Sequence, residues 1–263
     1  MIRYRRSCRL FRAVLGLYML MCMINTAAFS ADMATTPPEV PPGDSGGAAT
    51  PPGPPPGGFG GGRAVDHGTY VALVEKDAAG VDYSSAGDKE NAVRVEGSAV
   101  VLSDITISKT SGAAGTGDAS NFYGCNAGLL AMGKADVTIN GANVSTSAPG
   151  ANGIFSYGEG TKVTLNDVTI RTTNNSSGGI MMGGGTMYVS DCDIETQGGS
   201  SAALRSDRGG GTLAVTGGEY VSHGPGSPAI YCTARVSASN ATLTATSSEA
   251  IVAEHHDLPK HVR

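Results

Sequence analysis

The chain has no tryptophan, and five phenylalanines and nine tyrosines hold its aromatic content to 5 %. A core of this composition has to be aliphatic, and any aromatic platform for a ligand has to be sparse. Charge is also scarce, at 16 % of residues, and the formal net charge is −5. The first 30 residues hold five arginines and no acid, so the chain without them stands at −10. An acidic chain without basic clusters lacks the electrostatic footprint of a nucleic-acid binder. The longest apolar run, 13–24, falls short of the ~20 residues needed to cross a bilayer. Of five cysteines, Cys8 and Cys22 fall within those first residues. The remaining three, Cys125, Cys192 and Cys232, are an odd number, which excludes a fully paired disulfide framework. No helix-period apolar stripe runs through the chain after residue 90.

What the chain has is a repeat. A small residue followed by an aliphatic one recurs at Ala92-Val93, Gly128-Leu129, Gly153-Ile154, Gly179-Ile180, Ala203-Leu204, Ala229-Ile230 and Ala250-Ile251. After one long gap the steps are 25, 26, 24, 26 and 21 residues. A second aliphatic ladder keeps phase with it at Val100, Val137, Val163, Met187, Leu213 and Val236. Such self-similarity marks a solenoid, whose units bury their apolar sides only against their neighbours.

Within one coil, apolar residues such as Val163, Leu165, Val168 and Ile170 alternate with Thr, Asn and Asp. Period-two alternation puts one set inside and the other in solvent. The phase shifts once per coil, at Ser103-Asp104, Asn140-Gly141, Asn166-Asp167, Ser190-Asp191, Thr216-Gly217 and Ser239-Asn240. Gly, Asn and Asp tolerate the left-handed backbone region and so turn a corner between two short strands. Three short strands per coil predict an all-β chain, a right-handed parallel β-helix of about six coils. Stacked at ~4.8 Å, these make a rod roughly 30 Å long.

The β-helix is expected over 63–252. Residues 1–30 read as a secretory signal peptide: five arginines, a short apolar run, and Ala28-Phe29-Ser30 before the cleavage point. Residues 31–62 hold nine of the 13 prolines and read as a disordered Pro/Gly-rich linker. Thr69–Val74 is expected to close the first coil. Residues 253–263 are expected to form an irregular tail, either a small exposed cap or a truncated or shifted reading frame, the latter favoured because the repeat is cut in mid-coil. The raw C-terminal coil is then expected to self-associate.

Several side chains are candidates for function. Arg205, Asp207 and Arg208 follow an anchor strand where other coils carry little charge, and guanidinium binds carboxylate in bidentate fashion. They are either an anion or uronate site or a surface ion pair beside a glycine turn. The excursion Ser111–Gly124 ends in Phe122-Tyr123, which either stack on a sugar or pack over the first coils. Tyr188 is a further outward-facing candidate. Asp167 and Asp191 fill equivalent corners of successive coils, where paired oxygens either hold Ca²⁺ or serve the turn alone. No other cofactor is expected.

The coils containing Asn152–Phe155, Val163–Ile170 and Ala202–Gly211 resemble the pectin-lyase-like superfamily, and more narrowly exported adhesin-like bacterial β-helix proteins. The resemblance spans about 65–252 and implies either a non-catalytic surface protein or a polysaccharide lyase or glycoside hydrolase acting on acidic glycans. Catalysis by those enzymes needs clustered acids, or acids with Arg or Lys, on one face, and no such set is placed by the sequence. With the signal and the spacer, the first expectation is a secreted or cell-surface, non-catalytic, adhesin-like rod contacting a polysaccharide or cell-surface glycan.

Overall fold

The computed structural model describes residues 65–254. The expected signal peptide, the linker and His255–Arg263 lie outside the described residues. Within 65–254 the chain is a parallel β-solenoid of about six turns. Every strand pairing is parallel, in two sheets of eight and eleven strands.

Both aliphatic ladders are columns of the structure. In sheet 1, Val93, Leu129, Ile154, Ile180, Leu204, Ile230 and Ile251 stand in register from turn to turn. In sheet 2 the same holds for Val100, Val137, Val163, Met187, Leu213 and Val236. The inner columns merge into one core with Leu102, Ile139, Leu165 and Val189. Each fully buried aliphatic side chain contributes ~1.5–3 kcal/mol, so the core does not need large aromatics. Cys192 fills the expected core slot, and burial pushes its thiol up to about 11.

The corners fall where the phase shift predicts. Asp104, Gly141, Asp167, Asp191, Gly217 and Asn240 all have φ between 51° and 68°. A second device closes the opposite turn. The inward hydroxyls of Thr146, Thr172, Thr196 and Ser222 donate to the carbonyls of Ala151, Ser177, Ser201 and Ser227 at 2.5–2.7 Å. Ser177, Ser201 and Ser227 then stack, each Oγ accepting the backbone N–H of the turn before it at 2.9–3.1 Å. These bonds satisfy buried polar groups that would otherwise oppose folding. Lys109 stands in the same inner column, fully buried, and its Nζ donates to the Gly87 carbonyl at 2.6 Å and to Ser85 Oγ at 3.1 Å.

The rod begins with a smaller turn. Thr69–Leu73 pairs with Glu90–Glu96 as the first strand of sheet 1, and strands of two and four residues, Ala78–Ala79 and Asp82–Ser85, open sheet 2. At the other end, Ile251–Ala253 is still a paired strand. Inner residues there are poorly covered by the described residues: Val236 and Leu243 are half-buried and Ile251 is 55 % exposed.

Candidate functional site: the helix-flanked face of sheet 1

The residue after each anchor points out of sheet 1. In successive turns these residues are Arg94, Leu130, Phe155, Met181, Arg205, Tyr231 and Val252. Three consecutive members, Leu130, Phe155 and Met181, are apolar and yet fully buried. Their cover is the excursion, which folds as the helix Gly117–Tyr123 and not as a plain loop. Thr116 caps its N-terminus and Gly124, at φ 75°, ends it in the left-handed region. Phe122 packs onto the apolar trio. Buried amides fix the helix from below: Asn152 Nδ2 donates to the Ser120 carbonyl, and Asn91 Nδ2 to the Gly124 and Ala127 carbonyls.

Where the helix cover ends, the outer column continues as Arg205 and Tyr231. The structure thereby joins two segments that the sequence offered separately. Arg205 Nη2 donates to Asp207 Oδ2 at 2.7 Å, and both side chains are largely shielded, at 16 % and 15 % exposure. Arg205 Nη1 reaches Asn121 Oδ1, 84 residues away in sequence, at 3.4 Å. The Arg205 guanidinium lies 5.8 Å from the Phe122 ring centroid and 5.6 Å from that of Tyr231. Arg208 sits closer, 3.5 Å over Phe122, and 3.7 Å from Asp118 of the helix.

Local backbone explains how Arg208 reaches back. Arg208 has φ 49°, and Gly209, Gly210 and Gly211 follow at 107°, 66° and 107°. A Cβ on Gly211 would stand 2.4 Å from the Gly185 carbonyl oxygen, so only glycine lets this loop lie on the turn below.

Beside Arg205 is a cleft of 210 Å³ lined by Ser200, Ala202, Arg205, Gly226, Pro228 and Tyr231. The Tyr231 hydroxyl is pushed up to about 12, first by burial, then by its bond to the Glu254 carboxylate and by Asp207, so it stays protonated at ordinary pH. Arginines do not act as bases in water. The arrangement therefore offers Arg205 N–H donors, an ion-paired carboxylate and the Tyr231 ring, while Phe122 is packed on the apolar trio and overlain by Arg208.

The remaining candidates lie elsewhere. Tyr123 turns away from Phe122 and forms an edge-to-face group with His67, 6.4 Å between centroids, and Tyr157, 6.1 Å. His67 Nδ1–H donates to the Tyr123 carbonyl at 2.6 Å, and burial holds the imidazole below its ordinary range. Tyr188 is 45 % exposed on the outer face of sheet 2, in register with Thr164 and Ala214. Asp167 and Asp191 occupy exposed corners of successive turns of sheet 2. Among the described residues no three His, Cys, Asp or Glu side chains are grouped to hold a metal ion.

Sequence reasoning missed Tyr231, although its signal was present: it occupies the position after an anchor, as Phe155 does. It also missed the ion network of sheet 2, in which Arg171 meets Asp193 at 2.6 Å and Glu195 at 3.3 Å, and His223 meets Glu195 at 3.0 Å. Exposed pairs of this kind add little stability. Comparison of the chain with protein-family models, with curated proteins and with solved structures found no match in any of the three.

Proposed function

We propose that this protein is an exported, non-catalytic, adhesin-like rod of the cell surface that contacts glycans through the outer face of sheet 1. One observation carries the reading: Asp207 and Arg208 on a distant turn gather with Arg205 beside Phe122 of the helix, and Arg205 also lines a cleft with Tyr231. An aromatic face such as that of Tyr231 beside fixed, paired polar groups is what a sugar ring uses, its C–H face stacking and its hydroxyls hydrogen-bonding. The basic, then apolar N-terminus and the proline-rich segment 31–62 support export and display away from a surface.

A glycan array probed with residues 31–263, with and without Ca²⁺, tests the proposal, each hit being followed by an assay for product release. Binding without turnover, abolished by Phe122→Ala, is the expected result. Release of unsaturated or shortened sugars would instead make the chain a polysaccharide lyase or glycoside hydrolase. Retention of a glycan only with Ca²⁺ would return attention to Asp167 and Asp191.

A further inference from the structure

The charges around the cleft cancel. Arg205 is held by Asp207 at 2.7 Å, Arg208 stands 3.7 Å from Asp118, and the Glu254 carboxylate borders the Tyr231 hydroxyl. Neither cation among these groups is left unpaired, and Glu254 adds negative charge beside Tyr231. A carboxylate-bearing ring entering here would have to displace Asp207 from a shielded ion pair and approach Glu254, both unfavourable. A neutral polyol meets neither obstacle. It finds the N–H groups of Arg205 that Asp207 and Asn121 do not occupy, since a guanidinium carries five, and it finds the Tyr231 ring and Pro228 as an apolar wall. At 210 Å³ the cleft is smaller than the ~300 Å³ of a drug-sized pocket, which suits one ring of a chain or one terminal residue.

We infer that the Arg205–Tyr231 cleft takes a single neutral pyranose and discriminates against uronic acids. The inference rests on the glycan-contact reading above and reverses the anion preference that the two arginines suggest in sequence. Asp207 acts as a specificity residue: by occupying the Arg205 fork it spends the positive charge that an acidic sugar would need.

The experiment is saturation-transfer NMR on the signal-free full chain, with the methyl pyranosides of glucose, galactose and mannose against glucuronate and galacturonate. At least one neutral ring is expected to show transfer that changes little between ~0.05 and ~0.5 M salt, because no net charge is neutralised. Tyr231→Ala and Arg205→Ala should each weaken it at least about tenfold, and Tyr188→Ala on sheet 2 should leave it unchanged. Asp207→Asn is expected to bring in uronate binding that fades with salt. Wild-type preference for a uronate, or neutral binding indifferent to Tyr231→Ala, overturns the inference while leaving glycan contact elsewhere on the rod intact. Failure of every monosaccharide, together with a blank array, overturns both readings.

Discussion

The Arg208 guanidinium lies 3.5 Å from the centroid of the Phe122 ring, tying a glycine-rich turn of the rod to the helix that covers sheet 1. The two side chains differ in what they hold. Phe122 packs on Leu130, Phe155 and Met181, whereas Arg208 is half-exposed and adds only a cation–π contact and a long ion pair. Phe122→Ala is therefore expected to cost ~2–4 kcal/mol through lost packing, and Arg208→Ala only ~0.5–1 kcal/mol. Urea unfolding of both variants checks the order. Equal losses would mean that the cation, and not the ring, docks the helix.

A second prediction concerns the corners. Gly217 has φ 68°, and a Cβ there would stand 2.0 Å from Asp191 Oδ1 of the preceding turn. Gly217→Ala should cost ~1–2 kcal/mol from backbone strain alone, with the clash adding to it. Asp191→Gly removes the clashing oxygen, so the double variant Gly217→Ala/Asp191→Gly should be more stable than the sum of the single changes predicts. Strict additivity in thermal unfolding would show that the carboxylate swings aside freely.

The corners were legible because their cause is local. A residue that must take positive φ between two alternating stretches is nearly always Gly, Asn or Asp, and period two shows where the phase breaks. The columns were legible for the same reason, since the repeat fixes register directly. The helix was hidden because seven residues are too few to display a helical stripe, and it forms by docking. Its need was nonetheless written in Leu130, Phe155 and Met181, apolar residues at outward positions that require cover. The convergence of the helix with Arg205 depends on contacts such as that of Asn121 with Arg205 across 84 residues, and no local pattern encodes that. Tyr123 takes the packing alternative: adjacent helical positions do not share a face, so it parts from Phe122 and joins His67 instead.

The serine stack should be sensitive in a way that an exposed serine is not. Ser201 Oγ accepts the Ser177 N–H at 3.0 Å in a fully buried turn. Ser201→Ala leaves that N–H without its partner, at a cost of ~1–3 kcal/mol. Ser237→Ala, on the outer face of sheet 2, should stay within ~0.5 kcal/mol. Chemical denaturation distinguishes them, and a small effect at Ser201 would indicate that water enters the turn.

His67 gives the N-terminal turn a pH dependence of defined sign. Its ring is packed against Tyr123 and Tyr157, its Nδ1–H is committed to the Tyr123 carbonyl, and its own carbonyl accepts from Arg94 Nη2 at 2.7 Å. Burial, the largest influence, lowers its pKa below the ordinary 6.5; the bond to Tyr123 and the nearby Glu96 and Asp66 oppose this, and the Arg94 charge adds to it. The unfolded chain then takes up a proton on this ring at a higher pH than the folded chain does. The stabilising contribution is complete above 6.5 and is lost as the pH falls from there through the folded-state value. His67→Gln cannot protonate, so the stability difference between wild type and variant should move against the wild type as the pH drops from neutral to acidic. Thermal unfolding of both proteins across that range measures it. A difference that grows in favour of the wild type on acidification would show that the carboxylates, not burial, govern His67, and one that is flat with pH would show that the opposing influences cancel.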